Sequence, residues 1–202
     1  MKLLSNVLVG STLTLAACAT SAQAAVVLSD LNSVTPSFQY DSFPFNTTVN
    51  STFFQVASGA NQFGGAGFDF APLDISAEPF LEVSARIGSG NQNAGFNVLL
   101  QDSDGTQVGY AFLATSFNTS TFANEYALIA TPSFTNVAGS VPGLNTTAVT
   151  QFQLQGSYSP AFPLLDFRFD FDNVAVVPEP ATFALGAMGM LLLARRRAGR
   201  KS

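Results

Sequence analysis

The chain has 202 residues and a formal net charge of −5, and this length is usual for one domain. The body of the chain, residues 25–176, contains two basic and twelve acidic side chains, and therefore has a net charge of −10. Because such a surface repels phosphate backbones, the composition argues against nucleic-acid binding. The chain contains no histidine, and Cys18 is its one cysteine, which excludes serine–histidine catalysis and the usual zinc ligand sets.

The N-terminus predicts a secretory signal peptide. Lys2 precedes an apolar run over 3–17, and small residues follow up to Ala24. A basic start, an apolar middle and a small-residue exit are typical of such a signal, with cleavage expected between Ala24 and Ala25. The motif LAAC, which ends at Cys18, also resembles a bacterial lipobox, in which the cysteine is lipid-modified and becomes the new N-terminus. Both alternatives export the body.

Two regions in the first half of the body predict strands. Residues 81–87 alternate apolar and polar side chains, which is typical of a strand with one face in water. The same alternation runs over 96–100 and returns over 108–112, with the turn sequence 102–105 between them. Gly105 can supply the positive φ that a tight turn requires. These residues therefore predict a β-hairpin.

Three later segments predict further strands. Residues 126–130 alternate partly, and residues 151–155 alternate glutamine with apolar side chains. In 166–176 phenylalanines occupy every second position, and the apolar phase then shifts by one residue at Val174. Because side chains in a strand have a period of two, this shift predicts an extra residue near 172–173. No segment of comparable length has a helical repeat, so the body predicts an all-β, antiparallel β-sandwich.

The turn sequence also raises the question of a metal site. Asp102, Asp104 and Gly105 match the opening of a calcium loop, but the later oxygen ligands of that loop are missing. The same residues are common in hairpin turns. Calcium is the one metal that this oxygen-rich, acidic body suits, and Asp102 and Asp104 are its candidate ligands in this turn.

The closing strand of the body resembles that of galactose-binding-like jelly rolls, a group that includes many carbohydrate-binding modules. The resemblance rests on residues 169–176, and the hairpin over 96–112 is similar to the middle strands of that family. It implies a jelly roll and a fold suited to carbohydrate. It also implies that Asp172, which matches an aspartate near the family's closing strand, could help to hold a structural Ca²⁺.

The C-terminus has three parts. Val177, Pro178, Glu179 and Pro180 are followed by an apolar run over 181–194 and then by basic residues, at Arg195, Arg196, Arg197, Arg200 and Lys201. As a helix the apolar run would be about 21 Å long, shorter than the roughly 30 Å hydrocarbon core of a bilayer. Positive residues stay in the cytoplasm, so this short transmembrane helix would leave the body on the other side.

These three parts resemble the PEP-CTERM sorting signal of Gram-negative bacteria. The resemblance covers residues 177–202, and it implies recognition by exosortase, a membrane protease thought to cut near the PEP motif. The motif would then be a substrate sequence that performs no chemistry itself. The alternative is an ordinary single-pass tail anchor.

The predicted organisation is therefore a signal peptide over 1–24, a β-sandwich over 25–176 and a sorting segment over 177–202. We expect a non-enzymatic protein of the cell surface or extracellular matrix, with a structural or adhesive body and no cofactor apart from the calcium considered above. Its expected partners are signal peptidase, exosortase and, in transit, the inner membrane. The alternative function is a carbohydrate-binding module that acts on exopolysaccharide. A hydrolase would need two converging carboxylates, and the sequence places no such pair.

Overall fold

The computed structural model describes residues 24–40, 52–58, 64–139, 142–156 and 166–179, and it contains two antiparallel β-sheets. Alternating apolar and polar side chains favour strands, and frequent turn residues join them, which explains why the chain forms antiparallel sheets. The strands of the described residues are β1 (Val26–Ser29), β2 (Phe38–Tyr40), β3 (Phe54–Ser58), β4 (Gly64–Leu73), β5 (Phe80–Ile87), β6 (Gly95–Asp102), β7 (Gln107–Leu113), β8 (Ala123–Leu128), β9 (Phe134–Asn136), β10 (Val149–Gly156) and β11 (Phe167–Val177). One short 3-10 helix, Ala114–Ser116, follows β7.

The strands divide between a five-stranded and a six-stranded sheet. In the five-stranded sheet the order is β1-β11-β5-β8, and β3 also pairs with β11. In the six-stranded sheet the order is β2-β4-β10-β6-β7-β9. Consecutive strands such as β4 and β5 lie in different sheets, so the chain crosses repeatedly between the layers. This arrangement confirms the predicted all-β sandwich.

Phenylalanines from both sheets form the centre of the core. Phe96 of the six-stranded sheet meets Phe169 and Phe171 of the five-stranded sheet edge to face, with ring centroids 5.0 and 4.8 Å apart. Edge-to-face packing is the arrangement that the charge distribution of aromatic rings favours. These contacts join the two sheets, and they explain why alternate phenylalanines of β11 are fully buried.

The structure confirms the predicted hairpin and the predicted break in the last strand. β6 and β7 pair directly, and Gly105 in the turn between them has a φ of 87°. The pairing of β11 with β5 shifts register between Phe171 and Asn173, and buried side chains change from the phenylalanines to Val174. The extra residue, Asp172, therefore forms a bulge that re-aims the end of the strand.

Asp170 points away from the phenylalanine face of β11, yet it is only 4% exposed. Its carboxylate accepts hydrogen bonds from the Arg86 Nε at 2.7 Å and from the Gln55 amide at 2.8 Å. The Arg86 guanidinium lies over the rings of Phe53 and Phe122, 4.8 Å from each centroid. The ion pair and the two rings together cover this part of the sheet.

The predicted signal peptide up to 23 and the predicted membrane segment over 181–194 lie outside the described residues. Within the described ranges, no helix has both the length and the apolar character that crossing a membrane requires.

Candidate functional site

The outer face of the six-stranded sheet carries a continuous row of six residues that runs across all of its strands. In the order of the strands, the paired residues are Phe38, Gly67, Gln153, Leu99, Gly109 and Phe134. We call this set the central row. Each residue lies opposite its neighbour in the register, so the row is perpendicular to the strands.

Two glycines allow the rings at the ends of the central row to fold inward. A Cβ atom added at Gly67 would overlap the Phe38 ring, and one added at Gly109 would overlap the Phe134 ring. The rings therefore cover positions where any other residue would have a side chain. Since β4 and β7 are three strand spacings apart, the rings are separated by roughly 14 Å. Phe134 remains 40% exposed.

Amide side chains flank the central row on both sides. One flanking row contains Gln151, Gln101 and Gln107, and the other contains Gln155 and Asn97. With Gln153 of the central row, these residues form what we call the amide face. Gln153 is only 4% exposed, although it belongs to the outer face. The centre of the amide face is a groove of about 340 Å³.

Hydrogen bonds hold the amides in fixed orientations. The Gln153 amide donates to the Gln151 side-chain oxygen, and the Gln151 amide donates to the Asp69 carboxylate. The Gln107 amide donates to the Gln101 oxygen at 2.6 Å. Because each amide carries both donors and an acceptor, the groove can bind hydroxyl groups in either direction. Among its described lining residues there is no charged side chain.

The groove therefore combines apolar and polar contacts in one place. Leu99 and Phe38 offer apolar contacts in the groove, and the amides offer hydrogen bonds beside them. Phe134 adds a second ring at the other end of the central row. Such a site suits an elongated, uncharged molecule with apolar ring faces and polar edges.

The predicted metal ligands lie in two different places. The Asp102 carboxylate accepts backbone N–H groups from Asp104 and Thr106 at 3.1 Å and from Asn145 at 2.7 Å. Asp102 thus stabilises its own turn and binds that turn to the loop before β10. Asp172 lies on the other sheet, where it accepts the Ser84 hydroxyl at 3.4 Å.

The environment of Asp104 differs from that of Asp102, because Asp104 is exposed. Hydrogen bonding from Thr106 lowers the pKa of its carboxyl. Across the described ranges, no three His, Cys, Asp or Glu side chains gather where they could hold a metal ion. The calcium prediction therefore rests on the sequence alone.

The predicted processing sites mark the two ends of the described body. Ala24 and Ala25 are exposed directly before β1, whereas Cys18 lies outside the described residues. Val177 is the last residue of β11, and Glu179 is exposed two residues later. The other residues of the predicted sorting signal, Pro180 and the basic cluster, also lie outside the described residues.

No pattern along the chain predicted the amide face. The alternation of glutamines over 151–155 indicated a strand, but it did not indicate that these glutamines form the floor of a groove. Their low exposure depends on neighbours from β4 and β6, which are distant in sequence. The available signal was the alternating pair Gly65 and Gly67, because glycine within a strand often marks a close approach of another group.

Comparisons with known proteins concern the C-terminal segment and the fold. The model of the PEP-CTERM protein-sorting motif matches residues 176–200, which supports an exported protein. No curated protein matches the chain.

Among solved structures, the chain is similar to β-sandwich carbohydrate-binding modules. A family 11 module from Clostridium thermocellum, in complex with a beta-1,3-1,4-mixed-linked tetrasaccharide, has 10% identity and a TM-score of 0.55, covering 76% of this chain and 95% of that one. The family 11 module of the Clostridium thermocellum cellulase Lic26A-Cel5E has 11% identity and a TM-score of 0.55, covering 78% and 96%. An agarase has 13% identity and a TM-score of 0.55, covering 78% of this chain and 25% of that one. These likenesses show the fold, a β-sandwich of the jelly-roll type.

Proposed function

We propose that this protein is a non-enzymatic protein of the cell surface or extracellular matrix that binds a neutral polysaccharide, such as exopolysaccharide, through the amide face. The observation that carries the proposal is the central row, in which two rings folded over glycines lie at either end of a floor formed by Gln153 and Leu99. Binding of this kind makes the body adhesive.

The chemistry of the groove supports a sugar chain as the ligand. A pyranose ring has C–H groups on its faces and hydroxyl groups at its edges, so it needs stacking and hydrogen bonding together. Phe38 offers a ring face in the groove, and Phe134 offers a second one at the other end of the central row. The flanking amides offer the donors and acceptors. The roughly 14 Å between the rings exceeds one sugar unit, which favours an oligosaccharide segment lying along the central row.

The electrostatics favour a neutral chain over an acidic one. The body has a net charge of −10, and its two arginines, Arg86 and Arg168, both belong to the five-stranded sheet. A polymer rich in carboxylates or sulfates would be repelled by the protein as a whole. It would also find no cation among the described residues that line the groove.

The same groove supports a binding function rather than hydrolysis. Glycoside hydrolases of the common types place two carboxyl groups about 5 to 9.5 Å apart across the scissile bond. No carboxylate belongs to the described lining of the groove. Asp69 lies beside it, and its carboxylate accepts the Gln151 amide.

The route to the surface follows from the two ends of the chain. In this proposal signal peptidase removes the N-terminal signal, and the C-terminal segment holds the protein in the inner membrane during transit. An exosortase-type protease then processes the segment near Pro178. Because β11 ends at Val177, the folded sandwich would lie directly beside the cut.

A glycan array with the full chain tests the proposed function. We expect binding to neutral β-linked glucans or galactans and none to their sulfated or uronic-acid counterparts. Gln153→Ala removes a nearly buried donor and acceptor, which should weaken binding about tenfold. Gln92→Ala, at an exposed position outside the groove, is the matched control and should bind as the wild type does. Absence of binding to every neutral glycan would refute the proposal.

A further inference from the structure

A second cavity lies at the end of the sandwich where β11 finishes. Val177, the last residue of β11, pairs with Phe80, and Pro79 next to it lines this cavity. The connection from β4 to β5, the connection from β8 to β9 and the loop before β10 surround a volume of about 430 Å³. Its walls are mainly apolar, and they include Ile75, Val108, Ile129 and Leu144.

Glu78 is the one acidic residue among the described residues that line the cavity. This residue is 3% exposed, and neither of its side-chain oxygens has a hydrogen-bond partner. The other two buried acids behave differently, because Asp102 and Asp170 each accept two or more hydrogen bonds. A buried carboxylate without partners is costly, so an unpaired one in the wall of a cavity points to a missing binding partner.

Neither arginine of the described residues provides that partner. The guanidinium of Arg86 is paired with Asp170. The side chain of Arg168 lies close to Gly88 and Gly90, on the five-stranded sheet. No cationic side chain lies among the described residues that line the cavity.

We propose that this cavity binds a small organic cation, a protonated amine with an apolar body, with the Glu78 carboxylate as its counter-ion. The apolar walls fit the body of such a ligand, and the charge of the amine complements the buried carboxylate. The volume lies in the usual range of small-molecule sites, about 300 to 1,000 Å³. Calcium suits the cavity less well, because it takes six to eight oxygen ligands and the lining is mainly apolar.

The proposal is tested by titrating the full chain with benzylamine and with benzyl alcohol in a calorimeter. The two probes have the same apolar ring, and only the amine is charged at pH 7. We expect saturable binding of benzylamine, and binding of benzyl alcohol at least about tenfold weaker. Equal affinity for the two probes, or no saturable binding of the amine up to about 10 mM, which corresponds to about −2.7 kcal/mol, would overturn the proposal.

Two variants separate the role of Glu78 from general electrostatics. Glu78→Gln keeps the size of the side chain and should abolish the preference for the amine. Because it removes an unpaired buried charge, it should not lower the melting midpoint. Glu82→Gln makes the same change of charge on the outer face of the five-stranded sheet and should leave the preference unchanged. Unaltered amine binding by Glu78→Gln would contradict the proposal. It would also be contradicted if Ca²⁺, and not the amine, raised the melting midpoint of the wild type and this rise were absent in Glu78→Gln.

Discussion

The inward-folded rings of the central row lead to a specific prediction for Gly109→Ala. The new Cβ atom would occupy the place of the Phe134 ring, so the ring must turn away from the central row. Phe134 is 40% exposed and lies on a strand of three residues at the sheet edge, so it can move without disturbing the core. The substitution should therefore remove one stacking surface and leave the amides in place.

The expected loss follows from the area of ring face that a sugar would cover. Covering about 60 Å² of apolar surface at roughly 25 cal/mol per Å² contributes about 1.5 kcal/mol, which is about a tenfold change in Kd. The effect on folding is expected to be smaller. Alanine is favoured over glycine within a strand by about 0.5 to 1 kcal/mol, which offsets part of the packing lost at Phe134.

The assay measures Kd for a neutral oligosaccharide by calorimetry and the free energy of unfolding in urea. Gly95→Ala is the matched control on the same sheet, because its Cβ atom would overlap the backbone carbonyl of Phe112. A backbone group cannot turn aside, so this variant should lose about 1 to 3 kcal/mol of stability while its folded fraction keeps the wild-type Kd. Wild-type affinity in Gly109→Ala would refute the role given to the ring.

Three further predictions concern the stability of the sandwich. Arg86→Ala leaves the buried Asp170 carboxylate without its ion-pair partner, so it should lower the free energy of unfolding in urea by about 2 to 3 kcal/mol. A loss below about 1 kcal/mol would contradict a stabilising role for the ion pair. Burial raises the pKa of Tyr110, whose hydroxyl donates to the Ile129 carbonyl at 2.9 Å. The folded state therefore keeps this proton above pH 10, whereas the unfolded state releases it. The free energy of unfolding should then fall by up to about 1.4 kcal/mol per pH unit above pH 10. Tyr110→Phe should reduce that slope. Chelation of divalent cations should leave the melting midpoint unchanged, because backbone N–H groups already occupy the Asp102 carboxylate; a clear fall would indicate a bound cation.

Local patterns were sufficient to predict much of the fold. The hairpin around Gly105 depends on contacts between residues close in sequence, so the turn and the alternation on each side predicted it together. The bulge at Asp172 was also predictable, because a change of apolar phase within one strand requires an extra residue. Sheet membership was not predictable, since it depends on pairings such as β10 with β4, which join distant parts of the chain.

Local patterns could not predict the two candidate sites either, because these sites also depend on contacts between distant parts of the chain. The central row takes one residue from each of six strands, from Phe38 to Gln153. The cavity at Glu78 is enclosed by connections that leave different sheets. A single strand shows only that a side chain faces outward, and it does not show which side chains stand beside it.

The sequence by itself determined the sorting motif and the class of the fold, and it predicted the signal peptide. A signal peptide and a sorting motif are linear signals that other proteins read in order along the chain, and the period of side chains in a strand is a local property. The tertiary structure decided which outward-facing residues form a groove and which buried carboxylate is left unpaired. Those properties arise because strands distant in sequence pair at a fixed register, which places Phe38, Gln153 and Phe134 in one row.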